Sequence, residues 1–386
     1  MKGKAHNNHV KKFLRLFVLG IFVLACGCSG NSATFVPEPT VRDDGDFVCA
    51  AWIATAWGID FPNAPTTNSA ALKSDLDAIV QSAAAMNLNT LFFQVRPCAD
   101  AFYRSNLFPW SHFLTNQQGT APANNFDPLE YIVGRCHDAG IALHAWINPY
   151  RVTTLAADTP IPSHPAAVRP DLTFSVGGKL YFNPGEPAAR ELIIDGVREI
   201  VENYAVDGIH FDDYFYPEGI GAQDAATFAA RLDENLSLAD WRRENVNRLV
   251  RDTYAAVKQI DPAVEFGISP SGIWANLSGA NPLGSETAGF ESLNAIYADS
   301  RAWVKNGWVD YIAPQIYWKV GQAGSDFRVL VDWWEKVCSG TGVALYVGLA
   351  GYRNFPRAEY ENQIALAEAK ADGFIVFSFW DCGEVV

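Results

Sequence analysis

Positive charge is scarce in this sequence. Lys and Arg number 29 against 43 Asp and Glu, leaving a formal net charge of -14 across 386 residues. Nucleic-acid recognition needs a concentrated basic face, so no nucleic acid is expected as a partner. No Gly-x-Gly-x-x-Gly follows any apolar run, which argues against a doubly wound dinucleotide fold. There is no Cys-x-x-Cys and no cysteine with a histidine at zinc spacing, so no metal and no other cofactor is expected. Repeats at solenoid period and low-complexity blocks are absent too. The first apolar run, Phe17 to Ala25, is too short to span a bilayer as a permanent helix.

That run follows a basic start and precedes small residues and cysteines (MKGKAHNNHVKKFLRLFVLGIFVLACGCSG), the layout of an export signal. VLACGCS resembles a bacterial lipobox, whose cysteine is lipidated after the cut. Cys26, after Leu24 and Ala25, and Cys28, after Gly27, both qualify; an ordinary cut that discards them is the alternative. The expectation is therefore an exported lipoprotein of the bacterial envelope, held to the membrane by its N-terminal lipid. Residues 1–28 form the signal, the polar, proline-containing residues 29–46 the tether, and residues 47–386 the catalytic body. Beyond the signal, Cys49, Cys98, Cys136, Cys338 and Cys382 are scattered and odd in number, and read as buried small hydrophobes.

The body is rich in apolar residues. The chain is 49% hydrophobic and 13% aromatic, enough for a deep core with aromatics left over for a binding surface. Eight apolar runs begin at Val48, Asn89, Ile141, Asp207, Val264, Val309, Val343 and Gly373. Segments of helical period separate them: Ala71 to Met86, Pro128 to Ala139, Pro187 to Tyr204, Asp240 to Ile260, Leu293 to Asn306, Phe327 to Ser339, and Arg357 to Ala371. Eight strand runs with seven helical segments between them predict an α/β (β/α)8 TIM barrel, with little or no room after the last strand for a closing helix. The longest insertions, Asp100 to Asp127, Thr153 to Glu186, Glu218 to Asp240 and Asn276 to Ser292, all follow strands. They emerge on the face where such barrels carry their sites.

The fourth run, DGIHFDDYFYP (Asp207 to Pro217), ends in two adjacent aspartates. Residues alternate between the faces of a strand, so His210 and Asp212 point to the barrel axis and Asp213 lies at the rim. Two close carboxylates drive each other's proton affinities apart, leaving one protonated as an acid while the other stays anionic, as glycosidic cleavage requires. Asp212 and Asp213 are thus the candidate catalytic pair, against the plainer reading of an ion pair with Arg96 or Arg151. Candidate substrate contacts are Tyr214 and Tyr216 just after the pair and, at the other strand ends, Arg96, Asp100, His144, Trp146, Asn148, Arg151, Ser269, Trp274, Gln315, Tyr317, Trp318, Tyr352 and Trp380. Flat rings suit the C-H faces of a pyranose, and amides and carboxylates suit its hydroxyls. His210 is read equally as a substrate contact or a core histidine, and Asp207 as a turn residue.

Several long stretches, QVRPCADAFYRSNLFPWSHFLT, HAWINPYRV, LYFNPGEPAAR, DGIHFDDYFYP, FGISPSGIW and FSFWD, together resemble the glycosyl hydrolase-like 10 family of bacterial envelope proteins. The resemblance runs from about Val48 onward and implies a TIM barrel that hydrolyses glycan strands, for at least one member peptidoglycan strands lacking stem peptides. DGIHFDDY also resembles, distantly, the chitinase motif DGxDxDxE, but Tyr214 stands where that motif has its acid. Hexosaminidases with adjacent aspartates are a closer likeness. It implies that Asp212 polarises a 2-acetamido group on a GlcNAc or MurNAc unit while Asp213 gives the proton. A direct attack by Asp212, with Asp381, Asp100 or Asp299 as a distant acid, is the competing scheme. A carbohydrate-binding lipoprotein without catalysis is the competing function.

Overall fold

In a computed structural model of the chain, residues 47–231 and 235–386 are described. The expected signal, with Cys26 and Cys28, and the tether over residues 29–46 lie outside them.

The eight apolar runs form eight parallel strands: β1 (Val48–Ile53), β2 (Thr90–Arg96), β3 (Ala142–Ile147), β6 (Gly208–Phe211), β7 (Glu265–Ile268), β8 (Tyr311–Ile312), β9 (Ala344–Ala350) and β10 (Gly373–Phe377). They close in that order, β10 returning to β1 with Val48 beside Gly373. The insertion after β3 carries a separate antiparallel hairpin, β4 (Thr173–Val176) and β5 (Lys179–Phe182).

Local chemistry starts the helices between strands. Asn68 accepts from the N–H groups of Ala70 and Ala71 ahead of Ser69–Ala85, and Asp127 does the same for Leu129 and Glu130 ahead of Pro128–Asp138. Six of the seven expected helices form within two residues of their expected ends. Leu293 to Asn306 departs, splitting into Ser292–Ala295 and Ser300–Lys305. Tyr297 there takes a left-handed φ of 56°, and Asp299 starts a new helix by accepting from the Ala302 N–H. After β10 come a 3-10 turn, Phe379–Asp381, and the short helix Cys382–Val385.

Alternation sorts the apolar side chains into two layers. Ile209 and Phe211 face outward to the helices, with Trp303 and Trp334 buried in that same layer. Trp52, Phe92, Trp146, Tyr311, Tyr346 and Ile375 fill the barrel interior. Burying rings of this size contributes about 1.5–3 kcal/mol each. Two glycines make the filling possible: a Cβ on Gly208 would run into the His144 ring, and one on Gly267 into Tyr311.

His144 and His210 belong to this interior, below the mouth. Trp52 donates its indole N–H to His210 Nε2 at 3.1 Å, and the Tyr311 hydroxyl lies 3.0 Å from His210 Nδ1 and 2.9 Å from His144 Nδ1. Complete burial pushes the His210 pKa down to about 3, so the ring is neutral.

Candidate active site

The fourth barrel strand ends at Phe211 facing outward, so Asp212 faces the axis at the mouth. Its N–H bonds to Ile147 O at 3.3 Å, carrying the pairing one residue past the strand. Asp213 then turns onto the rim and donates its own N–H to Asp212 Oδ1 at 2.8 Å. Gln315, bridged to Ser271 and Gly348 just beyond the very short β8, donates Nε2 to Asp212 Oδ1 at 3.3 Å and to Ser269 O at 2.9 Å. Ser271 Oγ donates to Asp213 Oδ2 at 3.3 Å.

Above the pair is a hollow of about 270 Å³, close to the small end of the roughly 300–1,000 Å³ usual for ligand clefts. Asp212 and Asp213 are the carboxylates that line it. Burial raises both pKa values, and the neighbours divide them. Asp212 is held back by its hydrogen bonds to Asp213 and Gln315 and by the nearby charge of Arg151. Asp213 is pushed well up by burial and then by the Asp212 charge. Asp213 is thus the more easily protonated of the two, and Asp212 the one whose anion its neighbours favour. Among the described residues neither joins a salt bridge, so the ion-pair reading fails. Arg151 instead gives Nε and an Nη to Pro97 O, at 2.8 and 2.6 Å, and lies 4.3 Å over the Tyr214 ring.

The floor is polar. Gln94 Oε1 accepts from the N–H groups of Thr55 and Ala56, and its Nε2 donates to Asn148 Oδ1 at 3.0 Å. Asn148 Nδ2 and Trp146 Nε1 are buried with no acceptor among the described residues, and both side chains line the hollow. Unsatisfied buried donors cost about 1–3 kcal/mol each, a cost that a bound oxygen acceptor relieves.

The hollow brings together Trp146, Asn148, Arg151, Asp212, Asp213, Tyr214, Ser269, Gln315 and Tyr317 from the expected set. Others lie elsewhere, for definable reasons. A bulge between Gln94 and Arg96 shifts the register, so that Arg96 pairs with outward-facing Ile147. Arg96 is therefore buried on the outer side, 3.7 Å over Phe108. Asp100 sits in a separate hollow beside His112 and Gln118. Trp274 turns back to donate to Asp299 at 2.9 Å and stacks on Trp333. Trp318 packs outside the hollow, close to Gly272. Tyr216 is buried, its hydroxyl accepting from Asn245 at 3.2 Å. Tyr352 stands exposed, edge-on to Tyr317 and Phe377. Exposed Trp380 is pinned outside the hollow by its indole N–H to Asp60 O at 3.0 Å.

Trp57, Ile59 and Phe377 line the hollow and were not expected. The first run reads as one strand through Trp57, yet pairing stops at Ile53, and Trp57 and Gly58 take φ of 62° and 59°. Gly58 was the available signal for a turn. That turn leaves Trp57 56% exposed, as a wall of the hollow.

A closed (β/α)8 barrel with paired carboxylates and aromatic walls at the C-terminal mouth is a barrel of glycoside-hydrolase type. The family follows from comparison: residues 48–364 match Glycosyl hydrolase-like 10, and the chain belongs to that family. It is similar to Glycosyl hydrolase YngK of Bacillus subtilis, 37% identical over 378 residues, which cover 94% of this chain and 72% of YngK. It is also similar to Glycosyl hydrolase DigH of Escherichia coli K12, 34% identical over 363 residues, 87% of this chain and 82% of DigH. The glycoside hydrolase domain of PgaB (BpsB) from Bordetella bronchiseptica superposes with a TM-score of 0.55 at 11% identity, covering 86% of this chain and 94% of that domain. The catalytic domain of a Paenibacillus polymyxa β-amylase gives 0.56 at 12%, covering 87% and 93%. At such identities these two speak for the fold alone.

Proposed function

We propose that this protein hydrolyses glycosidic bonds in GlcNAc- and MurNAc-containing strands of cell-wall type, working from a lipid anchor in the bacterial envelope. The observation that carries the reading is the geometry of the pair: Asp213 at the rim, and Asp212 held by the Asp213 N–H and by Gln315 on the floor of one hollow. Asp213 gives its proton to the bridging oxygen. Asp212 orients the 2-acetamido group, whose oxygen takes the anomeric carbon, and water then opens the resulting oxazoline. The direct-attack scheme is disfavoured because its distant acids are engaged elsewhere. Asp299 holds Trp274 and a helix start, Asp381 approaches Ser378, and Asp100 lies in its own hollow. The sequence of residues 1–28 supports the export and anchor parts of the reading.

Asp212→Asn and Asp213→Asn, assayed on peptide-free strands for new reducing ends, are each expected to lose about 10²–10⁴ in rate. Full activity in either variant removes that residue from the mechanism. A wild-type protein that binds strands but releases no reducing ends leaves the non-catalytic binder standing. A thiazoline inhibitor binds tightly only if the acetamide takes part.

A further inference from the structure

A second hollow, of about 510 Å³, opens beside the carboxylate pair. Three separate insertions build it: the β4–β5 hairpin contributes Lys179 and Tyr181, the segment after β6 contributes Tyr214 and Glu218, and the loop after β7 contributes Phe290. Asp213 and Tyr214 border both hollows, whereas Asp212, Gln315, Trp146 and Asn148 border only the first. Tyr214 and Phe290 are 44% and 42% exposed, rings left uncovered beside the acid. Lys179 and Glu218 set one charge of each sign at the edge, which selects no net charge in an occupant.

We propose that the second hollow binds the sugar on the leaving-group side of the scissile bond, with the Phe290 ring as its stacking surface. The inference rests on Asp213 being the proton donor. The bridging oxygen must lie within hydrogen-bond reach of that acid, and Asp213 is the carboxylate shared by both hollows. Two sugars joined through that oxygen therefore lie one on each side. The unit whose anomeric carbon reacts sits over Asp212, and its neighbour sits against Phe290. Asp213 protonates the oxygen, the C1–O bond breaks with its electron pair passing to that oxygen, and the neighbouring unit departs as an alcohol through the second hollow. Water later supplies hydroxide to C1 and returns a proton to Asp213.

The test is binding to the catalytically silent double variant Asp212→Asn/Asp213→Asn, with and without Phe290→Ala. For a peptide-free GlcNAc–MurNAc tetrasaccharide, calorimetry is expected to show affinity falling about fivefold to tenfold on loss of the ring, the range of one aromatic contact. Affinity for monomeric N-acetylglucosamine, which this proposal places in the first hollow, is expected to change less than twofold. Equal losses for both ligands, or an unchanged tetrasaccharide affinity, overturn the proposal. Phe290 is exposed, so the variant is expected to fold. Asp213→Asn in the otherwise native enzyme tests the acid separately: continued cleavage there ends the catalytic reading, while the binding comparison still reports on the second hollow.

Discussion

Gln315 reaches across the barrel mouth to Asp212, its Nε2 3.3 Å from Oδ1, while the same amide donates to Ser269 O at 2.9 Å. One side chain thus fixes the position of the floor carboxylate and lowers its proton affinity. Gln315→Ala is expected to cost about tenfold in kcat/KM on peptide-free strands, the worth of one hydrogen bond to a charged group. It also raises the Asp212 pKa, so the acid limb of the pH–rate profile moves to higher pH. A profile that keeps its acid limb removes Gln315 from this role.

The wild-type profile is expected to be bell-shaped. Asp212 works as the anion, so activity falls as pH drops through its titration. Asp213 works protonated, so activity falls as pH rises through its higher one. Asp213→Asn is expected to abolish the alkaline limb along with most of the rate. A profile flat on the alkaline side in the wild type excludes Asp213 as the acid.

His210 makes a prediction about stability. Its folded pKa is pushed down to about 3 by burial, against about 6.5 in an unfolded chain. Between those values the unfolded state binds the extra proton, so this contribution is intact above about pH 6.5 and is lost as pH falls toward 3. Thermal midpoints are expected to decline across that window, and the decline to shrink in His210→Asn. Imidazole proton resonances give the direct check: a His210 ring that protonates near pH 6 contradicts its burial in the barrel.

Arg96 separates sequence expectation from structure. It stacks on Phe108 behind the sheet, away from the hollow. Arg96→Met is expected to leave kcat/KM on strands within about twofold, while Arg96→Ala, by opening a cavity, costs about 2–5 kcal/mol of stability in denaturant unfolding. A tenfold loss of activity in a fully folded Met variant would return Arg96 to the substrate.

How much of the site could be read beforehand depended on where strict alternation holds. It holds through Ile209, His210, Phe211 and Asp212, so the floor carboxylate was legible from spacing. It fails at Arg96, where one bulged residue turns the side chain to the other face, and at Trp57, where the strand has already ended. It is also silent about depth. His144, His210 and Asp212 share the inward face, but only the last stands at the mouth.

The amino-acid sequence by itself determined the eight-strand barrel, most helix boundaries and the presence of a carboxylate pair at one strand end, because periodicity and helix caps are local properties of the chain. Tertiary structure alone decided that Gln315 and Ser271 hold those carboxylates, that Trp57 and Phe377 wall the hollow, and that a second hollow opens beside Asp213. Those contacts join residues far apart in sequence, and barrel closure, not local preference, brings them within hydrogen-bonding reach.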